Sequence, residues 1–245
     1  VKADPHAQAR LLELAEVDTR LGQIRHRTAN LAEQKLLDTV SAERAGVDAD
    51  LVKARTSASD IAREVAKAEA DVQLVRDRAA RNQGRLDAGT GPAKELTALQ
   101  HELASLARRQ TELEDEQLDI MERAEATDAL VAHLQGRAAE LAGAVADATA
   151  ARDAAQAVLA AEAAELTARR GGLAPEVGAE LFALYEKIRE QTGVGAAAVV
   201  QRRCEGCRLE LMGADVARLA AAPADEVLRC EECRRILVRT AESGL

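Results

Sequence analysis

A seam of mostly small apolar residues runs unbroken from Leu96 to Leu166, passing through Leu99, Leu103, Leu106, Leu113, Ile120, Val131, Leu134, Leu141, Val145 and Leu159. Every step along it, counting polar members such as Gln110 and Gln117, is three or four residues. Only a long helix gathers residues at that spacing onto one side, and the alternation of threes and fours is a heptad repeat. A second seam precedes it: Val47, Leu51, Ala54, Ala58, Ile61, Val65, Ala68, Val72, Val75 and Ala79. A shorter register, Leu14, Val17, Leu21, Ile24 and Leu31, does not continue into that second seam by sevens, so a phase break is predicted near Asp38–Gly46. Gly84 and then Gly89-Thr90-Gly91-Pro92 separate the two long seams, a loop that opens into a helix at proline. Gly171-Gly172 and Pro175 are predicted to end the second arm.

Two arms of similar length joined by a short connection fold back on each other. At 1.5 Å per residue each would be roughly 100 Å long. Composition agrees, because with one Phe, one Tyr and no Trp the chain lacks the rings from which a large globular core draws its area. Hydrophobic residues at 47% are too many for a disordered chain. The predicted fold class is mostly α: a long antiparallel coiled-coil hairpin over residues 1–172, with its tip at about 82–94, and a linker helix plus small α+β zinc ribbon over 173–245. Pairing of the arms between chains is the competing arrangement, so monomer against dimer stays open. Phe182 and Tyr185, three apart on the linker helix, are expected to seat the ribbon on the coil rather than to recognise a ligand.

All four cysteines lie near the C-terminus, as Cys204-Glu205-Gly206-Cys207 and Cys230-Glu231-Glu232-Cys233. Two residues between cysteines let the chain turn so that both sulfurs converge on one metal, and two such turns complete a tetrahedron. Gly206 fits the tight turn of the first knuckle. A short helix is predicted within the 22-residue spacer, between Gly213 and Ala222. The four histidines lie elsewhere in the sequence, so Cys204, Cys207, Cys230 and Cys233 are the predicted ligands of one structural Zn2+. Four protein ligands leave no coordination position for water or substrate. No P-loop, H-E-x-x-H helix or nucleophile elbow appears, and the chain reads as a non-enzyme without a small-molecule substrate.

The formal net charge is −9, and the excess of acid lies before Ala196, since the last fifty residues carry eight Arg and eight Asp/Glu. An acidic coil disfavours polyanions along its length, so any such contact is local. Two local sites stand out as candidate partner-binding residues: Arg202, Arg203, Arg234 and Arg235 in the ribbon, and Arg81, Arg85 and Lys94 at the hairpin tip. No apolar run reaches the ~20 residues of a membrane span. No signal peptide is read at the N-terminus, and a cytoplasmic location with reduced thiols is expected.

The order of long coiled coil, Pro175-Glu176, the helix Leu-x-x-Leu-Tyr-Glu-Lys-Ile-Arg ending at Arg189, and the pairs Cys204-Glu-Gly-Cys207 and Cys230-Glu-Glu-Cys233-Arg-Arg-Ile-Leu resembles the bacterial C4-type zinc-ribbon coiled-coil family. The resemblance covers the whole chain, with specific motifs only in its C-terminal third. It implies the four cysteines as zinc ligands and an adaptor role. Studied members are adaptors that bind an alternative sigma factor and a flagellin messenger RNA, or secretion components, and those partners are not carried over to this chain. The expected function is a zinc-ribbon coiled-coil adaptor binding a protein partner, in transcription or secretion. The alternative is a regulator binding RNA or DNA through the ribbon arginines.

Overall fold

The computed structural model describes all residues 1–245. Four helices, α1 (Pro5–Ala29), α2 (Ala32–Asp87), α3 (Ala93–Val177) and α4 (Ala179–Thr192), are followed by β1 (Ala196–Val200), β2 (Arg203–Cys204), α5 (Gly213–Ala221), β3 (Leu228–Arg229) and β4 (Ile236–Val238). The chain divides into two compact units, residues 36–148 and residues 1–35 with 149–245. No helix is long and apolar enough to cross a membrane.

Residues 36–148 are the antiparallel hairpin that the seams predict. Leu51, Ala54, Ile61 and Val72 of α2 are buried, as are Leu99, Leu113 and Leu141 of α3. Ion pairs bridge the arms, Arg137 to Glu43 at 2.5 Å, Arg123 to Glu64 at 3.1 Å and Arg76 to Glu114 at 2.6 Å. Numbers rise on one arm as they fall on the other, which fixes the alignment. Exposed pairs of this kind contribute ~0–1 kcal/mol each, so burial of the seam is the main stabilising term. The connection is the short stretch 88–92, where Gly89 (φ 63°) and Gly91 (φ 142°) take backbone angles that a side chain would oppose. Asn82 occupies a seam position near this end, 8% exposed, and its Nδ2 has no hydrogen-bond partner. A polar group in a seam fixes register at some cost in stability.

The predicted phase break near Asp38–Gly46 does not interrupt the helix, since α2 is continuous there. The interruption falls earlier, at Asn30–Leu31. Asn30 ends α1 with its backbone N–H donating to the Arg27 carbonyl at 3.1 Å and its side-chain amide to the His26 carbonyl at 2.9 Å. Leu31 turns inward beside Ile24 and Leu159. A register mismatch accumulates over several turns, so the seams locate it loosely, and the chain breaks where a capping side chain is available.

In the other unit α1 lies antiparallel to the C-terminal part of α3, with Arg20 Nε 2.6 Å from Glu162. Contrary to expectation, α3 continues through Gly171-Gly172 and Pro175 to Val177. Helical glycine costs ~1 kcal/mol each, but the continuation buries Leu173 and Val177 against Leu11, Leu14, Leu181 and Tyr185, each large side chain contributing ~1.5–3 kcal/mol. Pro175 sits in the last turn, and the carbonyl its ring crowds belongs to Gly171, four residues back. Gly178 (φ 85°) then redirects the chain into α4.

The sheet has the order β2-β1-β4-β3, with β1 and β4 parallel and the other pairs antiparallel. Ala196 of β1 and Ile236 and Val238 of β4 share one core cluster with α1, α3 and α4. Tyr185 is fully buried in that cluster, and Phe182 packs against it, as expected of residues that seat the ribbon. Gly195 passes so close to Tyr185 that an added Cβ would lie 2.4 Å from its carbonyl oxygen. Gly195→Ala should therefore lower stability by ~1–3 kcal/mol through overpacking, measured by urea denaturation. An unchanged midpoint would contradict that contact.

A polar network crosses this core. The Tyr185 hydroxyl donates to Asp18 Oδ2 at 2.7 Å, Arg170 Nε donates to Asp18 Oδ1 at 2.8 Å, and Arg170 also binds Glu186. The Arg170 guanidinium lies 5.7 Å from the centroid of the Phe182 ring, a cation–π distance. Burial and the neighbouring Asp18 both push the Tyr185 phenol up, so it remains a donor. Burial pushes the Glu186 carboxyl up, but hydrogen bonds from Arg189 and Arg170 outweigh it and hold the group below its ordinary value of 4.5. The stability Glu186 contributes is thus full above its unfolded pKa and lost as pH falls through the lowered folded value. Glu186→Gln should flatten this part of the acid limb of stability, measured as the denaturation midpoint between about pH 5 and pH 2.

Candidate metal centre

Each cysteine pair sits on a turn with the same wiring. In the first knuckle the Cys204 N–H donates to the Leu209 carbonyl at 3.0 Å and the Arg208 N–H to the Cys204 carbonyl at 2.7 Å. In the second the Cys230 N–H donates to the Arg235 carbonyl at 2.9 Å and the Arg234 N–H to the Cys230 carbonyl at 3.0 Å. Arg208 (φ 63°) and Arg234 (φ 64°), each directly after the second cysteine, both adopt the left-handed conformation, which costs ~1–2 kcal/mol in a residue other than glycine. The arginine before each knuckle also recurs: Arg203 Nη2 donates to the Arg208 carbonyl at 3.3 Å, and Arg229 Nε to the Arg234 carbonyl at 3.0 Å. The hexapeptide Arg-Cys-Glu-x-Cys-Arg thus occurs twice, at 203–208 and 229–234. This repeat was open to sequence inspection, and it adds Arg208 and Arg229 to the residues that build the site.

The two knuckles bring all four Sγ atoms within 4.8 Å of one another. Cys204 Sγ lies 3.8 Å from Cys233 Sγ, and Cys207 Sγ 3.9 Å from Cys230 Sγ. A zinc ion with Zn–S bonds of ~2.3 Å requires tetrahedral edges of ~3.8 Å, so the donor set fits one zinc. A disulfide at ~2.05 Å is excluded by the same distances, and the cysteines are free. Cys204 and Cys230 are buried, Cys207 and Cys233 partly so. Burial pushes the Cys204 and Cys230 thiols up. At Cys233 burial acts in the same direction but is outweighed, first by the Arg235 backbone N–H, and the thiol falls below its usual value. This is a C4-type zinc ribbon with four cysteines positioned to bind one ion.

Gly206 is needed for a reason other than its turn. Its φ is not positive, and Glu232 holds the equivalent place in the second knuckle. An added Cβ at Gly206 would lie 2.7 Å from Arg235 Cδ and 3.0 Å from the Ala197 Cβ. Arg235 crosses there to donate to the carbonyls of Val194 at 3.0 Å, Gly206 at 3.1 Å and Thr192 at 2.8 Å. It ties the second knuckle to the first and to the end of α4.

The other arginines singled out from the sequence are placed as follows. Gln201 (φ 45°) and Arg202 (φ 61°) form the turn between β1 and β2. The C-terminal segment clamps that turn, with Arg202 donating from its backbone to Ser243 at 2.9 Å and from Nε to the Gly244 carbonyl at 2.8 Å. Arg203 is exposed beside the first knuckle, and Arg234 is exposed with a 3.4 Å contact to Glu231. Arg239, unremarked in the sequence, caps the loop after α5 by donating to the carbonyls of Leu219, Ala222, Pro223 and Ala224. Short strands leave many carbonyls unpaired, and guanidinium groups with five donors satisfy them. Arg81, Arg85 and Lys94 lie in the other unit, exposed and without an ion-pair partner.

Residues 14–193 match the CT398-like coiled coil hairpin domain, and residues 203–237 the C4-type zinc ribbon domain. An uncharacterized protein of Mycobacterium tuberculosis is 36% identical over 239 residues, spanning 98% of both chains. A solved structure from Mycobacterium smegmatis is 40% identical, with a TM-score of 0.88 over 98% of this chain and 100% of that one. The structure of CT398 from Chlamydia trachomatis shares the fold at a TM-score of 0.72, with 18% identity over 96% of this chain and 98% of that one.

Proposed function

This chain belongs to the CT398-like coiled-coil hairpin family, and from that premise we propose that it is a non-enzymatic adaptor that binds a protein partner. The observation that carries the reading is how the ribbon is built. Four thiolates would fill the coordination shell of the metal, and the sheet behind them shares its core with α1, α3 and α4. Zinc there holds two knuckles rigid and presents their outer surface. Arg203, Arg208, Arg229 and Arg234 are exposed on that surface, and the strained left-handed backbone at Arg208 and Arg234 is tolerated where glycine would be easier. An acidic protein surface is the partner chemistry these side chains fit. We place the adaptor among proteins of transcription or secretion, inside the cell, where the thiols stay reduced.

The same arginines support the second reading, contact with the phosphates of RNA or DNA. Equal numbers of Arg and Asp/Glu in the last fifty residues, and no aromatic ring there for base stacking, weigh against it. The zinc-loaded chain, immobilised and exposed to lysate with and without nuclease, separates the two. A discrete protein retained after nuclease and lost with Arg208→Glu and Arg234→Glu supports the adaptor. Retention of nucleic acid that falls steeply with salt would replace it with the second reading.

A further inference from the structure

The repeat that forms the two knuckles extends into the strands that follow them. Arg203 is paired antiparallel with Glu210 as Arg229 is with Ile236. The Cys204 N–H donates to the Leu209 carbonyl and the Cys230 N–H to the Arg235 carbonyl. Residues 209–212 are therefore the counterpart of residues 235–238, the stretch that contains β4. Leu211 and Leu237, equivalent in this alignment, are buried in one core cluster.

The outer sides of the two stretches differ. β1 runs parallel along β4, with Ala196 opposite Ile236 and Ala198 opposite Val238. The Ile236 N–H donates to the Gly195 carbonyl at 2.9 Å. No strand lies in the equivalent place beside residues 209–212. Their bonds to β2, from the Cys204 N–H to Leu209 and from the Leu211 N–H to Arg202, make Arg203 and Glu210 a non-hydrogen-bonded pair. In such a pair the N–H and C=O of Glu210 point away from β2, and neither has a partner in the chain. Met212 is 74% exposed, whereas its counterpart Val238 is 2% exposed. The far edge of the sheet is covered: the Ala3 N–H donates to the Asp225 carbonyl at 2.8 Å, and Lys2 bridges Glu226.

We propose that residues 209–212 are a docking edge, and that its occupant is an extended segment of a protein partner, added to this edge as β1 is added to β4. The equivalence sets the chemistry. The segment runs parallel to residues 209–212, and its backbone accepts from the Glu210 N–H as Gly195 accepts from Ile236. β1 brings Ala196-Ala197-Ala198-Val199-Val200 to its own slot, so the docked segment is small and apolar at its centre, with an apolar side chain over Met212. The residues entering the edge come level with the exposed Arg208, where an acidic side chain is the complement. An added strand draws affinity from the main chain and specificity from alternate side chains. This inference rests on the adaptor reading and specifies how the partner sits.

Random peptides of about ten residues, displayed on phage and selected on the zinc-loaded full chain, test it. Selected peptides, synthesised singly, are expected to have apolar centres and an acidic residue towards the N-terminus, and to slow amide exchange over residues 209–212. Glu210→Pro deletes the outward N–H without removing a bond to β2, a place where an edge strand tolerates proline. It should weaken binding about tenfold or more. Glu210→Ala keeps the N–H and should bind about fivefold or more tighter than Glu210→Pro. Met212→Asp removes the apolar contact and gives α5 a side-chain cap, so it should stay folded and bind about fivefold more weakly. Zinc content and Tyr185 emission equal to the wild type identify a folded variant. Peptides that bind folded Glu210→Pro as tightly as the wild type overturn the proposal. Should that variant fail to load zinc, peptides indifferent to Met212→Asp overturn it instead. A selection that enriches no peptide, or only peptides that protect another surface, overturns it equally. The lysate capture with Arg208→Glu and Arg234→Glu judges the adaptor reading separately, so either can fail alone.

Discussion

Stripping the metal, or replacing Cys230 with Ser, should unfold the ribbon while leaving the hairpin of residues 36–148 helical. The sheet is made of strands two to five residues long, too short to persist without a cross-link, and the knuckles join both ends of it. Structural zinc in small modules contributes an apparent ~10–16 kcal/mol at neutral pH, so a loss of at least ~5 kcal/mol is expected for this unit. Tyr185 offers a clean reporter, being the only Tyr in a chain without Trp and packed in one cluster with Ala196, Ile236 and Val238. Its emission and near-ultraviolet dichroism should change on chelation, while the far-ultraviolet helical signal should fall only slightly. Elemental analysis should give one zinc per chain before chelation. A stripped protein with unaltered Tyr185 signals would show that the sheet stands without its metal.

Replacing Asp18 with Ala should be the most damaging single change outside the cysteines. Asp18 is 4% exposed and receives the Tyr185 hydroxyl and the Arg170 guanidinium, with Arg189 Nε 3.8 Å away. Its removal leaves the fully buried Tyr185 hydroxyl unpaired, at ~1–3 kcal/mol. It also takes from the part-buried Arg170 one of its two carboxylates, Glu186 remaining, at ~1.5–3 kcal/mol for the lost charged hydrogen bond, so ~3–5 kcal/mol in all. At ~2–4 °C per kcal/mol for a protein of this size, the melting temperature should drop by roughly 6–20 °C. Tyr185→Phe removes one hydrogen bond and keeps the ring, so it should cost only ~1 kcal/mol beyond any repacking. Comparable losses for the two variants would mean that the Tyr185–Asp18 hydrogen bond, not the Arg170 pair, accounts for what Asp18 contributes.

The two effects are connected through the same unit. Arg235 bonds to the carbonyls at the end of α4 and to Gly206 in the first knuckle, while Asp18 on α1 grips Tyr185 of α4. The ribbon is therefore not an appendage on a flexible link. Its knuckles are positioned by a core to which α1, α3 and α4 all contribute, and any surface they present inherits that rigidity.

What the sequence determined by itself is whatever repeats or chelates locally. Heptad steps name the buried side of a helix without reference to any other part of the chain, so Leu51, Ile61, Leu99 and Leu113 could be assigned to the seam in advance. Two C-x-x-C pairs imply a shared metal, because the spacing fits one turn around one ion, and the short helix of the spacer appears where it was expected. Tertiary structure decided the rest, through interactions between residues far apart in sequence. It moved the helix break to Asn30, where a side chain caps the last carbonyls, and carried α3 past Gly171-Gly172 because Leu173 and Val177 gain burial beyond them. It also divided the arginines. Arg235 and Arg239 became donors to backbone carbonyls, and Arg208 and Arg234 were left exposed on strained turns. Composition treats these guanidinium groups alike, and only the positions of the carbonyls around each one distinguish them.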